Sequence, residues 1–327
     1  MKLLRLIVVT GSAALFSCGN GLSAFATTQQ PTNSRRTFAD WCREKASLSP
    51  ETKNTVEVLL KEAGTSECNA ANQKLSSLKE LNLMSTQIND LKPLQGLTKL
   101  TRLVLSNNKI SDITPLQVLT NLTELALNNN KISDHKPLQG MTNLTELVLN
   151  NNQLSDLKPL QGTTKLNRLY LVDNQISDIK PLQGLTKLTA LYLDNNPISD
   201  IKPLQGLTNL AFLSLNSNQI SDFKPLQGLT NLAFLSLINN KISDLKPLQG
   251  MTKLTSLLLN NNKISDLKPL QGMTNLTQLN LSFNKISDIT PLQGMTNLTQ
   301  AYLSENPIAP QICPLKPESI CKWSNEN

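Results

Sequence analysis

Few residues in this chain have the chemistry of a catalytic or metal centre. There is one histidine, His135, and there are five cysteines, Cys18, Cys42, Cys68, Cys313 and Cys321. Imidazole with thiolates could ligate zinc, and a thiol beside an imidazole could act as a nucleophile. The spacing opposes both readings. No Cys-x-x-Cys occurs, and His135 is far in sequence from every cysteine. It occupies a place where sister segments carry Ile or Leu, which points it at the core, and Asp134 beside it belongs to a column of aspartates with a capping role. No catalytic residue, metal ligand or cofactor is expected, and the chain reads as a non-enzyme.

The cysteines have a simpler use. Setting Cys18 aside, the other four are confined to the two ends of the chain. Four cysteines allow three connectivities. Two of these would join opposite ends of a long rod, so the expected pairs are Cys42–Cys68 and Cys313–Cys321. An active-site role for either pair is the alternative; stapled end caps suit an exported chain better. Export is also written at the start. Lys2 and Arg5 are basic, residues 6–16 are an apolar run, and Ala24-Phe25-Ala26 has the small-x-small form of a cleavage site. The run is too short to cross a membrane, and no other segment comes near that length. A secreted, periplasmic or cell-surface protein cleaved near Ala26 is expected. The alternative is a lipoprotein anchored at Cys18, because Leu15-Phe16-Ser17-Cys18 has the shape of a lipobox with an oversized Phe16.

What positions these ends is a repeat. From Leu75 the sequence returns every 22 residues without insertion or deletion, marked by Asn108, Asn130, Asn152, Asn174, Asn196, Asn218, Asn240, Asn262, Asn284 and Asn306, with Thr86 at the equivalent place in the first copy. In the copy that begins at Leu97, Leu103 and Leu105 alternate with Arg102 and Val104, the period of a short strand whose leucines face inward. The repeated asparagines are expected to form a ladder that satisfies backbone groups where the chain leaves each strand. Ile110, Ile113 and Leu116 fall three apart, as in a 3₁₀ turn that Asp112 would cap. Most copies end in Gln-Gly; Val118 departs from this.

The consensus L-x-x-L-x-x-L-x-L-x-x-N-x-I-S-D-x-x-P-L-Q-G resembles the short leucine-rich repeats of the internalin family. It is similar also to repeats of the phosphatase-1 regulatory subunit and of bacterial, notably cyanobacterial, leucine-rich-repeat proteins. The resemblance implies an α/β solenoid: a right-handed horseshoe or arc, with short parallel strands on the concave face and 3₁₀-like turns on the convex face. Internalins typically add an immunoglobulin-like module and a wall anchor, which the residues after Asn306 do not accommodate, so host-cell invasion is not carried over. The expected organisation is a signal at 1–26, a flexible leader at 27–36, a helical cap at 37–74, eleven coils at 75–309 with the last incomplete, and a C-terminal cap at 310–327. Ser49-Pro50-Glu51 reads as a helix start in the first cap and Gly64 as its end.

In so regular a chain the departures at outward positions carry the functional information. One outward column reads Glu80, Arg102, Glu124, Glu146, Arg168, Ala190, Phe212, Phe234, Ser256, Gln278, Gln300. The next reads Asn82, Val104, Ala126, Val148, Tyr170, Tyr192, Ser214, Ser236, Leu258, Asn280, Tyr302. With strands about 4.8 Å apart, Tyr170, Tyr192, Phe212 and Phe234 form a diagonal patch extended by Ile238 and Leu258, beside a charged stretch of Arg102, Glu124, Glu146 and Arg168. Part of the patch is copied, since residues 209–215 recur at 231–237. The net charge of +7 includes Lys2 and Arg5 of the signal. The convex lysines, Lys92 and Lys136 through Lys268, run beside an aspartate column and lack the interleaved aromatics of a nucleic-acid binder. The leading expectation is therefore an extracytoplasmic protein–protein recognition module. The alternatives are an envelope glycan binder using the aromatic patch, and an intracellular phosphatase-regulator-type scaffold.

Overall fold

The computed structural model describes residues 36–324. The expected signal, its cleavage site at Ala26, the lipobox around Cys18 and nearly all of the leader lie outside the described residues.

Three helices form the first cap. Thr37 opens α1 (Phe38–Arg43): its hydroxyl accepts from the Asp40 amide, and the Asp40 carboxylate accepts in return from the Thr37 amide at 2.8 Å. α2 (Pro50–Ala63) starts with the Ser49 hydroxyl accepting from the Thr52 amide, and it stops at Gly64, whose φ of 66° closes the last turn left-handed. α3 (Cys68–Ser77) follows at once. Phe38, Trp41, Val56, Leu59, Ala71 and Leu75 are buried in a core continuous with that of the repeats. Cys42 and Cys68 meet across α1 and α3 with Cα atoms 5.5 Å apart, a geometry that fits a disulfide. Leu75, the first residue of the repeat block, lies inside α3. The first coil has no earlier coil to cover its apolar side, and the cap helices supply that cover.

A three-residue strand then recurs every 22 residues, from β1 (Glu80–Asn82) and β2 (Arg102–Val104) to β11 (Gln300–Tyr302), and β12 (Cys321–Lys322) follows. Among the described residues each strand pairs only with its sequence neighbours, parallel and residue for residue, in one twelve-stranded sheet. No strand of three residues could stand alone. It persists because leucines such as Leu103 and Leu105, fully buried, stack on their counterparts one coil away.

The asparagine of each coil ties it to the one before. Asn108 donates from Nδ2 to the Leu83 and Leu105 carbonyls at 2.8 and 2.9 Å, and its Oδ1 accepts from the Ile88 amide at 3.1 Å. The same three bonds recur down the sheet to Asn306. Thr86, at the head of the column, reaches the Leu83 carbonyl and the Asn108 carboxamide oxygen with its hydroxyl.

On the far side of each coil Ile110, Ile113 and Leu116 are buried, and Asp112 Oδ1 accepts from the Thr114 amide at 2.8 Å, an Asx-turn that launches the 3₁₀ helix. The Gln-Gly corner takes two forms. At Gly140 φ is +93°, which needs glycine, whereas in the coil of Val118 the 3₁₀ helix runs on through Val118 itself, and a β-branched residue fits there. At the end of the sheet β12 pairs with β11, Leu315, Ile320 and Cys321 are buried, and Trp323 packs half-buried against them. Cys313 and Cys321 stand with Cα atoms 5.8 Å apart, again fitting a disulfide.

Candidate functional site

The strands leave one side of the sheet to solvent, and the two outward columns lie on it. Strand register places Tyr170 opposite Tyr192 and Phe212 opposite Phe234. The tyrosine rings stack nearly parallel, with centroids 4.9 Å apart and planes inclined by 8°. The phenylalanine rings stack more loosely, at 6.4 Å and 29°. No ring contact joins the two pairs among the described residues. Between them the chain steps sideways: Tyr192 faces Ser214 across the sheet, and Phe212 faces Ala190, which is buried. The diagonal patch is thus two stacks set side by side, with Phe212 the most open member at 46% exposed and Phe234, Ile238 and Leu258 half-buried.

The floor under the stacks is polar and satisfied. Ser214 and Ser236 are buried; the Ser214 hydroxyl donates to Asp194 Oδ1 and the Ser236 hydroxyl to Asn216 Oδ1, each at 2.6 Å. Asp194 also accepts from the Asn216 amide. Burial pushes the Asp194 carboxyl above the ordinary range, against the pull of those two donors. Sequence patterning had singled out neither Asp194 nor these bonds, because the position just past the strand varies freely from Met84 to Ser304.

The charged stretch neutralises itself. Arg102 Nε lies 3.0 Å from Glu124 and its Nη1 lies 3.7 Å from Glu80, while the Arg168 guanidinium clasps Glu146 with Nε at 2.7 Å. The hydrogen bond and charge of Glu146 raise the Arg168 pKa further. Removal from water, and then the Glu146 charge, pushes the Tyr170 phenol upward as well. These side chains form a rail beside the aromatic stacks and present little uncompensated charge. Exposed pairs of this kind contribute only about 0–1 kcal/mol to stability.

One outward residue was missed by reading only the strand columns. Phe283 stands where other coils carry Asn107, Asn129, Asn151, Asp173, Asn195, Ser217, Asn239 and Asn261; it is 46% exposed and its backbone is left-handed at φ 57°. The signal was available in the sequence as the sole aromatic in a column of polar residues.

The remaining chemistry-bearing groups have structural places. His135 is 2% exposed, its Nε2 has no hydrogen-bond partner in the structure, and burial lowers its pKa against the opposing charges of Asp156 and Asp134. Among the described residues no group of three or more His, Cys, Asp or Glu side chains is placed to hold a metal ion, and no helix is long and apolar enough to cross a membrane. On the turn side, grooves of about 510 and 530 Å³ between successive coils are lined by Asp200, Lys202, Asp222 and Lys224 and by their counterparts one coil further on. They repeat because the template repeats. The aspartates there are engaged through backbone amides, as Asp200 Oδ1 is by the Lys202 amide at 2.8 Å, and among the described residues only Lys92 of the lysine column makes an ion pair, with Asp90 at 3.8 Å.

Comparison with known proteins fits this geometry. The family model described as leucine-rich repeats in two copies matches at residues 76–118, 120–162, 164–206, 208–250 and 252–294. No curated protein matches the chain. Among solved structures, an internalin of Listeria monocytogenes is 35% identical, with 81% of this chain and 78% of that one covered and a TM-score of 0.76. A leucine-rich-repeat protein of Leptospira interrogans is 26% identical over 78% of this chain and 80% of its own, with a TM-score of 0.61. The ectodomain of the plant membrane receptor kinase GASSHO1/SCHENGEN3 from Arabidopsis thaliana shares the fold at 24% identity and a TM-score of 0.64, over 78% of this chain and 37% of that one. A sheet of sequential parallel strands joined by 3₁₀ turns, five matches to the repeat model and an internalin aligned over most of both chains lead to one assignment: this chain belongs to the leucine-rich-repeat family in its internalin-like form, a protein-interaction module.

Proposed function

We propose that the chain is a non-enzymatic, extracytoplasmic recognition module that binds a protein partner on the solvent side of its sheet. The contact surface is centred on Tyr170, Tyr192, Phe212 and Phe234, extends over Ile238 and Leu258, and is bordered by Arg102, Glu124, Glu146 and Arg168. The observation that carries this reading is the pair of ring stacks standing open on a face whose other positions are mostly small or polar. Aromatic side chains in a cluster offer large apolar area at low entropic cost, and such residues dominate binding energies at protein interfaces. The two cysteine pairs at disulfide distance support a place outside the reducing cytoplasm. That location separates this reading from an intracellular scaffold.

The test is capture of the native partner from envelope and medium fractions with wild type, Tyr192→Ala and Phe212→Ala. Both variants should lose the partner by roughly tenfold or more in affinity while keeping the thermal midpoint of the wild type. Retention of the same partner by both variants would sink the proposed surface. A captured species that proves to be a polysaccharide would replace the protein partner with a glycan.

A further inference from the structure

Phe283 has no evident reason to be aromatic on account of the fold. Its ring is 46% exposed, and its backbone occupies the left-handed region, which asparagine tolerates and a bulky residue pays for. A residue held in that region, with its apolar ring in water, points to a contact outside the chain. It lies just past its strand (Gln278–Asn280), in the coil after that of the half-buried Leu258 and two coils after that of the half-buried Ile238, on the way to β11.

Two residues after Phe283, beyond the buried Asn284, stands Lys285. The same position in the two preceding coils is Lys263 and Lys241, and all three are exposed. None forms an ion pair among the described residues. In the four coils before these the position holds Gln153, Gln175, Pro197 and Gln219, and before those Lys109 and Lys131, also exposed and without an ion pair among the described residues. The longer of these two lysine runs begins where the aromatic stacks end, accompanies Ile238, Leu258 and Phe283 from coil to coil, and stops at Pro307, with Glu305 bounding it. The opposite end of the face has its arginines paired with glutamates. The run from Lys241 to Lys285 is thus set apart by its apolar neighbours, whereas Lys109 and Lys131 accompany the paired arginines and glutamates.

We propose that this run receives an acidic segment of the protein partner, with apolar side chains seated on Ile238, Leu258 and Phe283 and carboxylates facing Lys241, Lys263 and Lys285. The inference rests on the protein-recognition reading above and gives its partner a charge and a place. Three lysines on successive coils, whose backbones lie about 4.8 Å apart, match a run of carboxylates better than one isolated charge does. The apolar half of the surface selects a polypeptide over a purely polyanionic chain.

The experiment is a selection of randomised displayed peptides on the intact protein, followed by affinity measurement of the enriched sequences. Enrichment of peptides with Asp or Glu beside Leu, Ile or an aromatic is expected, with affinity falling about tenfold in Phe283→Asn and in Lys263→Glu and falling further at raised salt. Both substitutions place a polar residue at an exposed site, and Phe283→Asn installs the residue that neighbouring coils carry, so the fold is kept. Peptides without acidic bias, no enriched peptide at all, or acidic peptides that bind Phe283→Asn as well as wild type would each overturn the inference. Alginate, an acidic polysaccharide without apolar side chains, serves as a second probe. Binding of alginate that depends on Lys263 but not on Phe283 would mark a polyanion site and overturn it too. A partner that needs Tyr192 and Phe212 but neither Lys263 nor Phe283 defeats this inference and leaves the recognition reading standing.

Discussion

Tyr192 and Asn196 belong to the same coil and answer to different constraints. Asn196 is 4% exposed, and every hydrogen-bonding group of its carboxamide has a backbone partner, the Leu171, Leu193 and Asp194 carbonyls on Nδ2 and the Ile176 amide on Oδ1. Its counterparts are asparagine in every coil from Asn108 to Asn306. Tyr192 stacks on its neighbour Tyr170, and its counterparts range from Val104 to Asn280. The inward column has one solution because the backbone that it serves is the same in each coil. The outward column has no such duty, and identity there is free to follow a partner. Invariance in a repeat protein thus reports the cost of folding, and variation reports where binding is available.

The comparison is broken most directly by Asn196→Ala. The substitution strands several carbonyls and an amide at once in a site closed to solvent, and each buried group left unsatisfied costs roughly 1–3 kcal/mol. A loss of about 3 kcal/mol is expected, read as a fall in the urea midpoint, with local opening around the adjoining coils visible in hydrogen exchange. A cost under about 0.5 kcal/mol would mean that water replaces the amide freely, and the inward column would lose its claim to be set by folding.

How much of this was legible in the sequence follows from the same division. The 22-residue register, the inward leucines, the parallel strands and the capped 3₁₀ turns could be read because each is repeated in every coil, so that Asn108 and its successors announce one another. The start of α2 at Ser49 and Pro50 and its end at Gly64 were legible from local chemistry alone. Three-dimensional detail on the outward face was not. Sequence columns placed Tyr170, Tyr192, Phe212 and Phe234 in one diagonal that steps sideways at Ala190 and Ser214, but the stacking of the rings within each pair depends on side-chain packing. The pairing of Arg168 with Glu146 was equally out of reach, since adjacency in a column does not fix rotamers. Phe283 was legible as the one aromatic of its column, although it lies past the strand positions that define the outward face.

His135 sharpens the comparison from inside the core, as an inward residue that breaks its column. Its counterparts are Leu91, Ile113, Leu157, Ile179, Ile201, Phe223, Leu245, Leu267 and Ile289. Burial holds its folded pKa below the ordinary value, so on acidification the unfolded chain takes up the proton first. The neutral imidazole's full contribution is present above the unfolded value of about 6.5 and is lost as pH falls through it towards the lower folded pKa. His135→Leu should therefore stabilise the protein by about 1 kcal/mol at neutral pH by removing an unpartnered buried nitrogen, and the gain should widen as pH drops from 7 to 5. Chemical denaturation at several pH values reads this directly. A gain that does not change with pH would show that the imidazole is not kept neutral by its burial.

The smallest expected effect is the most telling, because its sign separates the two kinds of column. Phe283→Asn puts the common residue of its column back into a backbone already at φ 57°, close to the 60° of its neighbour Asn261. If Phe283 serves a partner, the fold gives up only a part-exposed ring and sheds left-handed strain of about 1–2 kcal/mol, so the variant should be equal to wild type or up to about 1 kcal/mol more stable. The thermal midpoint would then rise by a few degrees at most, since a chain of this size shifts by roughly 2–4 °C per kcal/mol. A variant less stable by more than about 1 kcal/mol would mean that the ring packs for the benefit of the solenoid, placing Phe283 with Asn196 among residues fixed by folding. A neutral or stabilising result leaves an aromatic side chain that the fold does not need beside the last of the three lysines. Stability given up at one position, in a chain that elsewhere repeats its best solution ten times over, is the signature of a residue kept for contact with another molecule.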